Sequence, residues 1–177
     1  MMITTHIDLL EQILAEYQSN LGRDFLAYRN HCYRVYHFCS ALIDSHAFLN
    51  EKLGIAVAFH DLAIWTHHSL DYLPPSQQLA HDYLVNVGWP EWAAEIELMI
   101  AEHHKLTPVK NKPLVEAFRQ ADWVDVSLGV LQFGLSSTFI NSVQAAFPNA
   151  GFHKRLLQLA GKRLLGHPLS PLPMVKW

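Results

Sequence analysis

Five residues could share one piece of chemistry if the fold brings them together. His60 and Asp61 are adjacent in Ala56-Val57-Ala58-Phe59-His60-Asp61-Leu62, inside a segment almost free of charge after Lys52. An ionised carboxylate in such a setting is expensive unless it is paired or bound to a metal. His31 falls on a face shared with Tyr28, Val35, Phe38 and Leu42, at helical spacing. His103 continues the apolar positions Ile96, Met99 and Ile100, which turns His104 toward the flank. Asp122 follows Phe118 by one helical turn in Arg119-Gln120-Ala121-Asp122-Trp123, again a charge within an apolar stripe. Imidazole and carboxylate together suit a divalent ion such as Zn, Mn, Fe, Co, Ni or Mg, and the donor set leaves its identity open.

Composition favours that chemistry and excludes others. The chain of 177 residues carries 12 histidines against 13 lysines plus arginines and 16 acids, for a formal charge of −3. This balance argues against a nucleic acid polymer as partner. Half the residues are apolar and 16% are charged, which excludes a disordered chain. The length suits a single domain over residues 1–177 with a real core. Cys32 and Cys39 are seven apart, or about 10.5 Å along a helix, too far for a disulfide. A reducing, cytoplasmic setting follows as the expectation. The first residues, Met1 to Asp8, carry no basic and apolar leader pattern. Residues 126–152 hold no acid, lysine or arginine, but Gly129, Gly134, Pro148 and several polar side chains interrupt them. That stretch reads as a buried helical pair or a homodimer surface rather than a membrane span.

The elements that must position the five residues are helical, and no hairpin signal interrupts them. Thr5 with Asp8 resembles a capping box for a first helix closed at Asn20-Leu21-Gly22. Further helices are predicted over about 25–45, 51–65, 76–88, 90–105 and 113–125, with weaker ones to about 165. Pro74-Pro75 reads as a stop after a loop, and Gly166 to Pro173 as an extended proline-rich end. The fold class is all-α.

The order His31, His60-Asp61, Asp122 resembles the signature of the HD superfamily of metal-dependent phosphohydrolases, over residues 25–126. Arg29-Asn30-His31 with Arg34-Val35, the apolar run into Phe59-His60-Asp61, Gly88-Trp89-Pro90-Glu91 before His103-His104, and Gln120-Ala121-Asp122 strengthen it. Residues 127–177 then supply C-terminal helices and the tail. The resemblance implies a compact helical bundle holding one divalent metal ion on His31, His60, Asp61 and Asp122. It implies hydrolysis of a phosphoester in a small, nucleotide-like substrate. Asp61 would also orient or deprotonate the attacking water, with His103 or His104 as acid or phosphate contact, His103 being favoured by its face.

Other residues are candidates for holding substrate. Arg34 is either a phosphate clamp or the partner of Asp44 or of another helix. Lys105 could hold phosphate, although lysine is common at a helix C-terminus. His67 and His68 follow the His-Asp helix and could line the pocket mouth. His37 turns away from His31 and reads as structural, while His6, His46, His153 and His167 read as surface. Trp65, Tyr72 and Trp123 could stack a base, but core aromatics are commoner and the three read as core. His81 reads as an exposed helix residue. In relatives with two metals, extra ligands would fall near Ser76 and Gln78, neither of which suits that role here. Two rivals to the hydrolase remain, a mixed-valent di-iron oxygenase of the same family and a non-catalytic sensing or interaction domain.

Overall fold

The computed structural model describes residues 3–43, 49–168, 170 and 173–175. Among these residues every regular element is helical. The longest helix, α3 (Phe25–Leu42), follows α1 (Asp8–Glu16) and the short α2 (Gln18–Leu21). Its residues from Asn30 to Cys39 are all buried, so it is surrounded on every side. Against it pack α4 (Leu49–Phe59), α8 (Pro113–Val126), α9 (Ser137–Ala146) and the start of α10 (Phe152–Gly166). α4 in turn carries α1 on one flank and α6 (Leu73–Val87) with α7 (Ala93–Glu102) on another, and α7 reaches across to α8. The fully buried Phe38, Phe59, Phe118 and Leu53 fill the space between these helices. Burial of each such side chain contributes about 1.5–3 kcal/mol.

Several predicted boundaries shift for identifiable reasons. Ile7, not Thr5, precedes the first helical residue, and no side chain caps α1. Pro74 and Pro75 lie in the first turn of α6, where a missing N–H costs nothing, so they start the helix instead of stopping the chain. Gly88 ends α6 at φ 80°, and the Trp89 N–H donates to the Leu84 carbonyl at 2.9 Å. This left-handed cap folds Pro90–Trp92 and α7 back along α6. The predicted helix over 51–65 is broken. α4 stops at Phe59, His60-Asp61-Leu62 form a turn, and α5 (Ala63–Thr66) resumes.

Residues 126–152 divide between two environments. Leu128, Val130, Leu131 and Phe133 are exposed, whereas Ile140, Val143 and Phe147 bury against the rest of the fold. Cys32 and Cys39 are free and buried. Among the described residues no helix is long and apolar enough to cross a membrane.

Candidate metal centre

Four elements deliver the candidate residues to one buried point. α3 contributes His31, the turn after α4 contributes His60 and Asp61, the end of α7 contributes His103, and α8 contributes Asp122. The turn matters because adjacent residues on an unbroken helix diverge by ~100°. With the helix interrupted, His60 Nε2 and Asp61 Oδ2 come within 3.6 Å. The His31 and His60 Nε2 atoms are 2.9 Å apart. His31 Nε2 lies 3.7 Å from Asp61 Oδ2 and 3.6 Å from Asp122 Oδ1, and His60 Nε2 lies 3.8 Å from the latter.

The protons on these imidazoles are fixed by their outer partners. His60 Nδ1 donates to the Val57 carbonyl at 2.9 Å, and His103 Nδ1 donates to the Ile100 carbonyl at 2.7 Å. His31 Nδ1 donates to Asp125 Oδ2 at 2.6 Å. A carbonyl or carboxylate oxygen only accepts, so each neutral ring keeps its proton on Nδ1 and turns the Nε2 lone pair inward. The lone pairs of His31 and His60 therefore face each other at 2.9 Å. A proton between them is disfavoured on His60, whose pKa burial pushes down to about 3. Asp61 Oδ1 and both carboxylate oxygens of Asp122 are buried without a hydrogen-bond partner.

A cation resolves these features together. Ions with ~2.0–2.1 Å bonds to nitrogen and oxygen hold their ligand atoms about 2.9 Å apart at right angles and about 4.2 Å apart when opposite. The separations above, 2.9 to 3.8 Å, fall within that range. His31, His60 and Asp122 form one group able to hold an ion; His60, Asp61 and His103 form a second; His103, His104 and Asp122 form a third. The groups share members, so the six residues make one continuous cluster with a large capacity for positive charge.

The two aspartates respond differently to this setting. Burial raises the Asp122 carboxyl to about 7, against the opposing pull of His103 and His31. Burial also works to raise Asp61, but the neighbouring imidazoles of His60 and His103 hold it well below the ordinary carboxylate range. His103 Nε2 is 3.3 Å from Asp61 Oδ1. Burial works to lower the His103 pKa, and the carboxylates of Asp61 and Asp122 beside it more than offset that, for a net rise. His104 is held well below its ordinary value by burial and by His103. Its Nδ1 lies 3.4 Å from Asp122 Oδ2, and its Nε2 is hydrogen-bonded to the Tyr72 hydroxyl at 2.6 Å. Both His103 and His104 thus belong to the cluster, and His103 is the more buried, at 0% exposure.

The candidates for holding phosphate fare differently. Arg34 is no clamp. It is 2% exposed, its guanidinium meets Asp125 with 2.5 and 2.9 Å hydrogen bonds, and its remaining nitrogen donates to the Phe147 carbonyl. Its partner comes from α8, and Asp44 lies outside the described residues, as does His46. Lys105 pairs with Glu102 at 3.2 Å. His67 Nδ1 is hydrogen-bonded to its neighbour Thr66. His68 lines a groove beside α10 that contains none of the clustered residues.

Of the remaining histidines, His37 is structural and donates to the Thr4 carbonyl. His81 meets Glu97 on the surface. His153 is not a free surface residue, because its Nε2 donates to the Asp125 carbonyl at 2.9 Å. Ser76 is buried and accepts the Ala63 N–H at the end of the His-Asp turn.

Asp125, which holds the outer nitrogen of His31, is the residue beside the cluster that sequence reasoning missed. Its signal was present, since Asp122 and Asp125 are three apart on α8 just as His31 and Arg34 are three apart on α3. Phe152 was also missed, and its ring stacks on His31 with centroids 4.0 Å apart. Comparison with family models, with curated proteins and with solved structures gave no match for this chain.

Proposed function

We propose that this chain is a metal-dependent hydrolase of the HD type, cleaving a phosphoester of a small substrate. The observation that carries the reading is the buried convergence of Nε2 lone pairs on unpartnered aspartate oxygens. His31, His60, Asp61 and Asp122 would hold the ion. When bound, a divalent ion acidifies a water and polarises a phosphoryl oxygen. The residues supply the rest. Asp61, kept ionised beside His60, is suited to orient the attacking water and accept its proton. His103, whose pKa is raised next to Asp61, is suited to protonate the departing oxygen. One water adds to phosphorus, the ester P–O bond breaks, and an alcohol and phosphate leave.

A second reading has one observation in its favour. His103 and His104 extend the cluster past four ligands, and their proximity to Asp61 and Asp122 suits a second ion. This supports the two-iron oxygenase of the same superfamily, although His81 and His67 lie outside the cluster.

Metal content of protein purified without added metal, followed by loading with Mn or Zn, separates the readings. One equivalent, lost in His60→Ala and Asp122→Asn, with phosphate release abolished by Asp61→Ala, supports the hydrolase. Two iron equivalents with dioxygen consumption support the oxygenase. Failure to take up any metal sinks both and leaves a sensing or interaction domain.

A further inference from the structure

A cavity of about 310 Å³ ends on the candidate metal centre, touching Asp61, Tyr72 and His104. Its remaining wall is apolar, drawn from Leu70, Trp123, Val126, Leu156, Ala160 and Met174 among others. Among the described residues no lysine or arginine lines it. The nearby cations are committed elsewhere, Arg34 to Asp125, Arg119 to Glu116 and Lys105 to Glu102. Tyr72 supplies a polar group in the wall, and its hydroxyl is already bonded to His104.

We infer that this cavity binds the non-reacting body of the substrate, and that this body is an uncharged alkyl or aryl group. The inference rests on the hydrolase reading for the reacting end alone. A nucleoside brings ribose hydroxyls and base edges that need partners once they leave water, and beyond Asp61, Tyr72 and His104 the described wall is apolar. An alkyl or aryl group loses nothing there and gains the burial of its surface. The size suits one small ring system or a short chain, with the ester oxygen directed at Asp61 and His104. The larger groove across Ile64 and Leu70 contrasts with it. That groove is lined by Arg155, Lys162 and Arg163 and includes none of the clustered residues.

The test separates the cavity from the chemistry. Calorimetric titration of metal-free protein with 1-naphthol and with adenosine measures the body alone. We expect 1-naphthol to bind at least tenfold more tightly than adenosine. Ala160→Phe, which grows into the cavity from half-buried α10, should weaken 1-naphthol at least tenfold while Mn uptake persists. Ala160→Leu, a gentler filling that serves if Phe disturbs the helix, should weaken it to a smaller extent. Unchanged naphthol affinity in both variants overturns the assignment. So does adenosine binding that equals naphthol binding and is lost in Ala160→Phe. Turnover of 1-naphthyl phosphate by Mn-loaded protein then reports on the hydrolase reading. Intact naphthol binding without turnover removes that reading and leaves the cavity assigned.

Discussion

Two buried polar clusters meet on α3, one turn apart, and they are built on opposite terms. Around Arg34 every demand is met. Asp125 accepts from two of the guanidinium nitrogens and from His31, and the third nitrogen donates to the Phe147 carbonyl. Around His31 Nε2, a few ångströms away, lone pairs face each other and three carboxylate oxygens of Asp61 and Asp122 have no donor. The same helix thus carries a closed network and an open one, joined through the His31 ring. A closed buried network holds the fold in register, because any loss from it strands a charge. An open one is a cost to folding unless something else completes it. The difference marks the open cluster as the one with room for a cation, without reference to any relative.

The largest test of this contrast is Arg34→Leu. It leaves the Asp125 carboxylate buried with only the His31 N–H and no compensating charge. Removing one partner of such a pair costs about 3–5 kcal/mol. Urea unfolding of metal-free protein should register a loss of that size. A loss under ~1 kcal/mol would mean that the closed network does not hold the helices.

The open cluster should respond with the opposite sign. Saturating Mn at a hundredfold excess over its dissociation constant should stabilise wild-type protein by about 2.7 kcal/mol. Asp122→Asn should erase that gain. In metal-free protein the same substitution removes a carboxylate without a donor, and should raise stability by about 1–3 kcal/mol. If Asp122→Asn destabilises the metal-free protein as Arg34→Leu does, the two clusters are of one kind and the distinction fails.

How much of this was legible in the sequence follows from the range of each interaction. His31, His60, Asp61, His103 and Asp122 stood out because each is polar within an apolar helical pattern, and periodicity is a local property. The break at His60 was not legible. Phe59-His60-Asp61-Leu62 contains neither glycine nor proline, so nothing local stops the helix there. Instead, packing of α4 against α3, α6 and α7 decides it, with the Ser76 hydroxyl accepting the Ala63 N–H as the chain resumes. Arg34 illustrates the same limit. Its charge on an inward face could mean a ligand site or a buried pair, and the partner that decides the matter is 91 residues away on α8. Asp125 reads locally as the last turn of a helix. Only the adjacency of α3 and α8 turns two three-residue spacings into a matched pair.

The smallest and sharpest test lies at the edge of the open cluster. Tyr72, just before α6, holds His104 through a 2.6 Å hydrogen bond and lies 3.5 Å from His103. Tyr72→Phe removes one buried hydroxyl and leaves the side chains of His31, His60, Asp61 and Asp122 unaltered. The expected cost to stability is about 1 kcal/mol, the net worth of one hydrogen bond. If the ion sits among those four residues, its affinity should change less than tenfold, as read by Mn titration. A larger loss would mean that His104 is itself a ligand whose orientation Tyr72 sets. The open cluster would then reach to His103, His104 and Asp122, and the two-ion reading would displace the one-ion reading.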